Sequence, residues 1–284
     1  TINGLTASAP SYKPPLSVSP DASLRLVLEG TNWLTGGYDC AAVRVPLGAS
    51  ITISGTGELT AQGSQPGAGI GGNTGESAGS ITVNAGKITA RSSYGAGIGG
   101  GKNASATTIT INGGEIVTNT TSSAGIGGGQ NGAGGTMKIE ISNASITTSC
   151  IQGPGIGPGS GGSSGGTVTV HSGTISAGGG IGYDTTRIDT LTVTGGTITG
   201  FPGSVDVIAC MELRQTGGSI SAMNPASFTQ AAIDASGNIY VSGGVLQPSS
   251  GVSAGGNIEV TQSGAINASI GKRAVGDSIA VRAG

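Results

Sequence analysis

Charge is scarce in this chain. Only 9% of its residues are Asp, Glu, Lys or Arg, and the formal net charge is −2. No basic cluster interrupts this pattern, which argues against a phosphate-tracking nucleic-acid surface. There is one histidine, His171, and the three cysteines (Cys40, Cys150, Cys210) lie far apart. Neither a zinc site nor a disulfide framework follows from that inventory, and no metal is expected. The cysteines read as small apolar residues of an interior. No apolar run reaches the roughly 18 residues of a membrane span, so no membrane insertion is expected. No charged-then-apolar leader opens the chain, and Thr1 in place of Met predicts a processed start.

What the chain has in abundance is glycine, 58 of 284 residues. The absence of a strict three-residue period excludes collagen. Enough Ile, Val and Leu recur at regular places to exclude simple disorder. Ile70, Ile98, Ile126, Ile156 and Ile181 each sit in a Gly-Ile-Gly core, at spacings of 28, 28, 30 and 25 residues. A period in that range marks a solenoid. It also disposes of the dinucleotide fingerprint that Gly67–Gly72 and Gly95–Gly100 match by letter. That motif needs one copy, a preceding strand and a following helix. Here it recurs, and Gly, Ser, Asn and Thr follow it, so no cofactor is expected.

Each repeat contains an apolar-x-apolar strand: Ile51-Thr52-Ile53, Ile81-Thr82-Val83, Ile109-Thr110-Ile111, Ile139-Glu140-Ile141, Val168-Thr169-Val170 and Leu191-Thr192-Val193. Alternation with β-branched residues predicts a half-buried strand, apolar pair inward. A corner follows, with glycine at its third position (Gly86, Gly114, Gly173, Gly196) and Ala144 as the exception. A second strand points Ile88, Ile116, Ile146, Ile175, Ile198 and Ile220 inward, and the Gly-Ile-Gly segment makes a third face. Three strands per turn wound in one sense predict an all-β, right-handed parallel β-helix. Counting strand templates gives about eleven coils over residues 23–284. Residues 1–22, with Pro10, Pro14, Pro15 and Pro20, read as an extended arm or linker. The ending at Ile279–Val281, with no amphipathic cap, predicts continuation of the chain or self-association there.

Chemistry is harder to find. Glycan-cleaving sites need two or three converging carboxylates. The 14 acidic residues do not align in columns. The outward rows are instead Thr and Ser ladders, poor acids and bases. The best cluster is Tyr183-Asp184-Thr185-Thr186-Arg187-Ile188-Asp189, which predicts a sugar-contact patch of Tyr183, Asp184, Arg187 and Asp189, or a short loop closed by an Arg–carboxylate pair. No catalytic residue is assigned, and the chain reads as more a non-enzyme than an enzyme. Tyr240, outward in its strand, is a candidate sugar-stacking residue, as are Tyr38, Trp33 and Tyr94. His171 takes a corner place filled elsewhere by Asn, Ser and Thr, so a hydrogen-bonding corner role is expected. Rows such as Thr108-x-Thr110 and Thr167-x-Thr169 also suggest an ice-binding array, broken at Lys138-x-Glu140.

The runs Leu24–Asn32, Ala41–Pro46 and Ile51–Gly57, followed by the repeated Gly-Ala-Gly-Ile-Gly-Gly, resemble a family of large surface proteins of gut bacteria. Its members are usually described as carbohydrate-binding-domain-containing, with a right-handed β-helix of the pectate-lyase-like class. The resemblance covers about residues 24–200. It implies an extracellular or cell-surface setting and contact with glycans or a host surface, and it carries no agreed catalytic motif onto this chain. Phage tail spikes that cleave polysaccharide share the architecture, and a depolymerase is the alternative reading.

Overall fold

A computed structural model of the chain describes residues 1–183, 185–200, 207–222, 232–248, 251–267 and 279–282. No described residue is helical, and the strands stack in parallel as a β-solenoid. The predicted faces are all present. On the first, Leu24, Ile51, Ile81, Ile109, Ile139, Val168 and Leu191 lie opposite one another in unbroken register. On the second, Leu59, Ile88, Ile116, Ile146, Ile175 and Ile198 do the same. The third column runs Val43, Ile70, Ile98, Ile126, Ile156 and then Ile181 and Ile208. Almost all these side chains are fully buried and form one core cluster along the axis. Each buried Ile contributes about 1.5–3 kcal/mol, one coil interface after another.

The solenoid makes about eight turns, fewer than the eleven expected. The strand Ile279–Arg282 pairs with Ile258–Ile266, but no described residue supplies the other faces of the coil it begins. The stretch expected to be an arm lies against the stack instead. Ile2 pairs with Leu28, Thr6 with Trp33 and Leu16 with Val43. Pro10, Pro14, Pro15 and Pro20 fall in the connections between these short strands, where a missing N–H costs no ladder bond.

Two departures from the repeat have local causes. In the coil where Ala144 replaces the corner glycine, the left-handed residue is Asn143, one position earlier, with φ 50°. Asn tolerates that region where a bulkier residue resists it. In the coil of Leu213, the second inward position holds Gln215, fully buried. Its amide Nε2 faces the carbonyls of Gly217, Gly218 and Val245 at 3.3, 3.2 and 3.2 Å. Asn32 similarly replaces an aliphatic residue of the second face. It accepts from the Leu5 N–H at 3.0 Å and donates to the Glu29 and Glu58 carbonyls at 2.9 and 3.0 Å, tying three coils together.

The Gly-rich connections after the third face also stack. Backbone N–H groups of Gly75, Asn103 and Asn131 donate to the carbonyls of Lys102, Gln130 and Ser160 at 2.8, 2.7 and 2.8 Å. A Cβ on Gly101, Gly129 or Gly159 would lie 1.8, 2.0 or 1.7 Å from the carbonyl oxygen of the connection beneath. Glycine is required there for close approach of backbone to backbone.

Candidate functional site

The segment expected to form a sugar patch is a tight turn. Tyr183 and Thr186 exchange backbone hydrogen bonds of 3.0 and 2.9 Å. Arg187 leaves this turn and reaches away from it. Its Nη1 donates to the Asp234 carbonyl at 2.8 Å and its Nη2 to the Asp234 carboxylate, while its backbone N–H donates to Ser164 Oγ at 3.0 Å. The Arg187 and Asp234 side chains are only 19% and 29% exposed. Asp189 turns to a different partner: its Oδ2 accepts from the Gly166 N–H at 3.1 Å. Asp184 lies outside the described residues. The structure therefore divides Arg187 and Asp189 between two bonds, one to the next-but-one coil and one to the adjacent coil, and brings in Asp234, which the sequence reading did not single out. A separation of 47 residues hid that pairing.

Tyr240 takes its outward place. Asn238 Nδ2 donates to its hydroxyl at 2.9 Å, and the Arg214 guanidinium lies 5.2 Å from its ring centre. Arg214 is itself paired with Glu212. The ring is held by a cation and an amide, which leaves less of it for a ligand than a bare outward aromatic would offer.

The outward rows of the first face are hydroxyl ladders in register: Ser50, Ser80 and Thr108 in one column, and Thr52, Thr82 and Thr110 in the next. The break at Lys138 and Glu140 is a pair that neutralises itself, Nζ to Oε1 at 3.0 Å. On the second face Lys87 sits between Glu58 and Glu115, 3.9 Å from each. These are exposed pairs of small energetic weight. A further pair, Arg44 with Glu76 at 2.5 Å, ties the third face to its connection. The hydrogen bond to Glu76 raises the Arg44 pKa.

His171 Nδ1 lies 3.3 Å from Thr194 Oγ1, in the corner column as expected. The same column holds Asn112 donating to Asn84 Oδ1 at 2.9 Å. The cysteines are free thiols. Burial pushes Cys150 up to about 11 and Cys210 up to about 12, and it raises Cys40. Thr120 Oγ1 donates to the Cys150 sulfur at 3.0 Å. A thiol held neutral in this way is a poor nucleophile. Among the described residues, no three of His, Cys, Asp and Glu gather as metal ligands.

No protein-family model, curated protein or solved structure matches the chain.

Proposed function

We propose that the chain is a non-enzymatic β-solenoid module of a bacterial surface or secreted protein, used for adhesion or contact with glycans. The observation that carries this reading is the fate of its charges. The guanidinium and carboxylates best placed for sugar chemistry are spent on coil-to-coil bonds: Arg187 on Asp234 and Asp189 on the Gly166 N–H. What remains outward is chiefly hydroxyl and amide, which can hydrogen-bond a sugar but cannot protonate a glycosidic oxygen. The resemblance to gut-bacterial surface proteins supports the same setting.

Binding on such a surface is spread over many weak contacts. Asp184 and Asp189 changed together to Asn should leave polysaccharide retention nearly intact. The test is a glycan screen read for both retention and new reducing ends. Cleavage by the wild-type chain that is lost in that double variant would replace this reading with the depolymerase one.

The in-register Ser/Thr-x-Thr rows favour a second reading, an array that orders water against ice. Thermal hysteresis of the wild-type chain, abolished by Thr82→Tyr and Thr110→Tyr, would establish it; its absence would dismiss it.

A further inference from the structure

We infer that the corner between the second and third faces is a binding ridge for a sugar chain lying along the solenoid axis. This rests on the glycan reading above and assigns it a different place from Tyr183–Asp189. Backbone bonds link successive coils along this corner. The Tyr12 N–H donates to the Tyr38 carbonyl at 3.1 Å, Tyr94 to Gln65 at 2.7 Å, and Gln152 to Thr121 at 2.7 Å. Tyr12, Tyr38, Gln65, Tyr94, Ile151 and Gln152 each fall in the connection between the second and third faces of their coil. In a chain with five tyrosines, three stand here.

They are presented outward. Tyr12 is 69% exposed, Tyr38 60% and Ile151 75%, and Gln65 and Gln152 are exposed as well. Tyr12 and Tyr38 meet edge to face, ring centres 5.6 Å apart. Tyr94 is half-buried with Lys102 Nζ 4.9 Å from its ring centre, so it offers a ligand less of its ring than Tyr12 and Tyr38 do. Trp33, 42% exposed, projects from the adjoining strand of the same coil as Tyr38. Flat apolar rings interleaved with amides match the alternating C–H faces and hydroxyl edges of a sugar chain. Rungs recur about every 4.8 Å, so rings on neighbouring and next-but-one coils meet successive sugar units.

The backbone argues the same way. Tyr12 has φ 63°, a left-handed conformation in which a bulky side chain is strained. At every other such position among the described residues the residue is Gly, Asn or Asp. Its side chain is exposed, and its ring contact is the edge-to-face one with Tyr38. Strain kept at one point marks it for function.

Charge beside the ridge is mixed: Lys13, Arg91 and Lys102 against Asp39, whose Oδ1 accepts from Thr74 Oγ1 at 3.1 Å. The recognition elements on the ridge line are neutral, and the ligand assigned is a neutral polysaccharide.

The test is affinity electrophoresis of the full chain in native gels cast with neutral glucans, mannans, xylans or galactans, and in parallel with uronate polymers. Wild type should be retarded by at least one neutral polymer, with little change on raising salt. The variant Tyr12→Ser, Tyr38→Ser, Tyr94→Ser should lose about tenfold or more in affinity, equivalent to about 1.4 kcal/mol. Tyr12→Gly separates binding from folding: its thermal midpoint should be unchanged or raised while retention falls. Full retention of the triple variant would overturn the ridge and leave the glycan reading standing. A salt-sensitive preference for uronate polymers alone would overturn the neutral-ligand assignment. No retention of wild type by any polymer would overturn both.

Discussion

Alanine in place of Gly99 puts a methyl where the next coil already has a carbonyl. The added Cβ would sit 2.0 Å from the Gly127 oxygen and 2.9 Å from its carbon. That oxygen accepts the Gly100 N–H at 2.9 Å, so moving it aside breaks a rung bond. Gly99 also has φ 138°, which side chains rarely adopt. Forced overpacking costs about 1–3 kcal/mol, left-handed strain about 1–2 kcal/mol, and the lost hydrogen bond about 0.5–1.5 kcal/mol. Together these predict destabilisation of about 2.5–6.5 kcal/mol. Gly75→Ala is the matched control, because Gly75 has φ 72° and nothing within 4 Å of the added Cβ. It carries the strain without the collision, about 1–2 kcal/mol. Urea unfolding followed by far-UV circular dichroism measures both. Equal midpoints for the two variants would refute the close-stacking argument.

A double-mutant cycle on Arg187 and Asp234 should give a coupling of about 1–3 kcal/mol, since the bonds are charge-assisted and half-buried. The same cycle on Arg187 and Asp189 should give a value within about 0.5 kcal/mol of zero, because nothing bonds the two; urea midpoints decide both. Cys210 titrates near 12 in the folded chain against 9.0 for an ordinary thiol. Below pH 9 both states hold the proton and ionisation contributes nothing. Above it the unfolded thiol ionises first, so stability falls as pH rises from about 9 to about 12, by at most about 1.4 kcal/mol per pH unit per thiol. Cys210→Ala should flatten that limb of a stability-against-pH profile, and native Cys210 should resist a thiol reagent at pH 8.

The core was legible because its signal is short-range. Ile81-x-Val83 and Ile88 repeat the same alternation in each coil, and a one-residue slip would turn every Ile outward. Contacts between coils far apart in sequence were not legible. Arg187 has Asp189 two residues away and pairs with Asp234, 47 residues on. The prolines of residues 1–22 suggested an arm because local composition does not tell a linker from the corners of a coil. Among candidate site residues, Tyr38 and Tyr94 were each visible as aromatics. The bonds from Tyr12 to Tyr38 and from Tyr94 to Gln65 became visible only in the stacked coils.

The most direct test of the whole account combines retention with product detection. The wild-type chain is run against neutral polysaccharides, and bound fractions are measured alongside reducing ends or unsaturated products after long incubation. The account predicts retention with the polymer left at full length. Shortened polymer, or complete failure to bind any glycan, would contradict it.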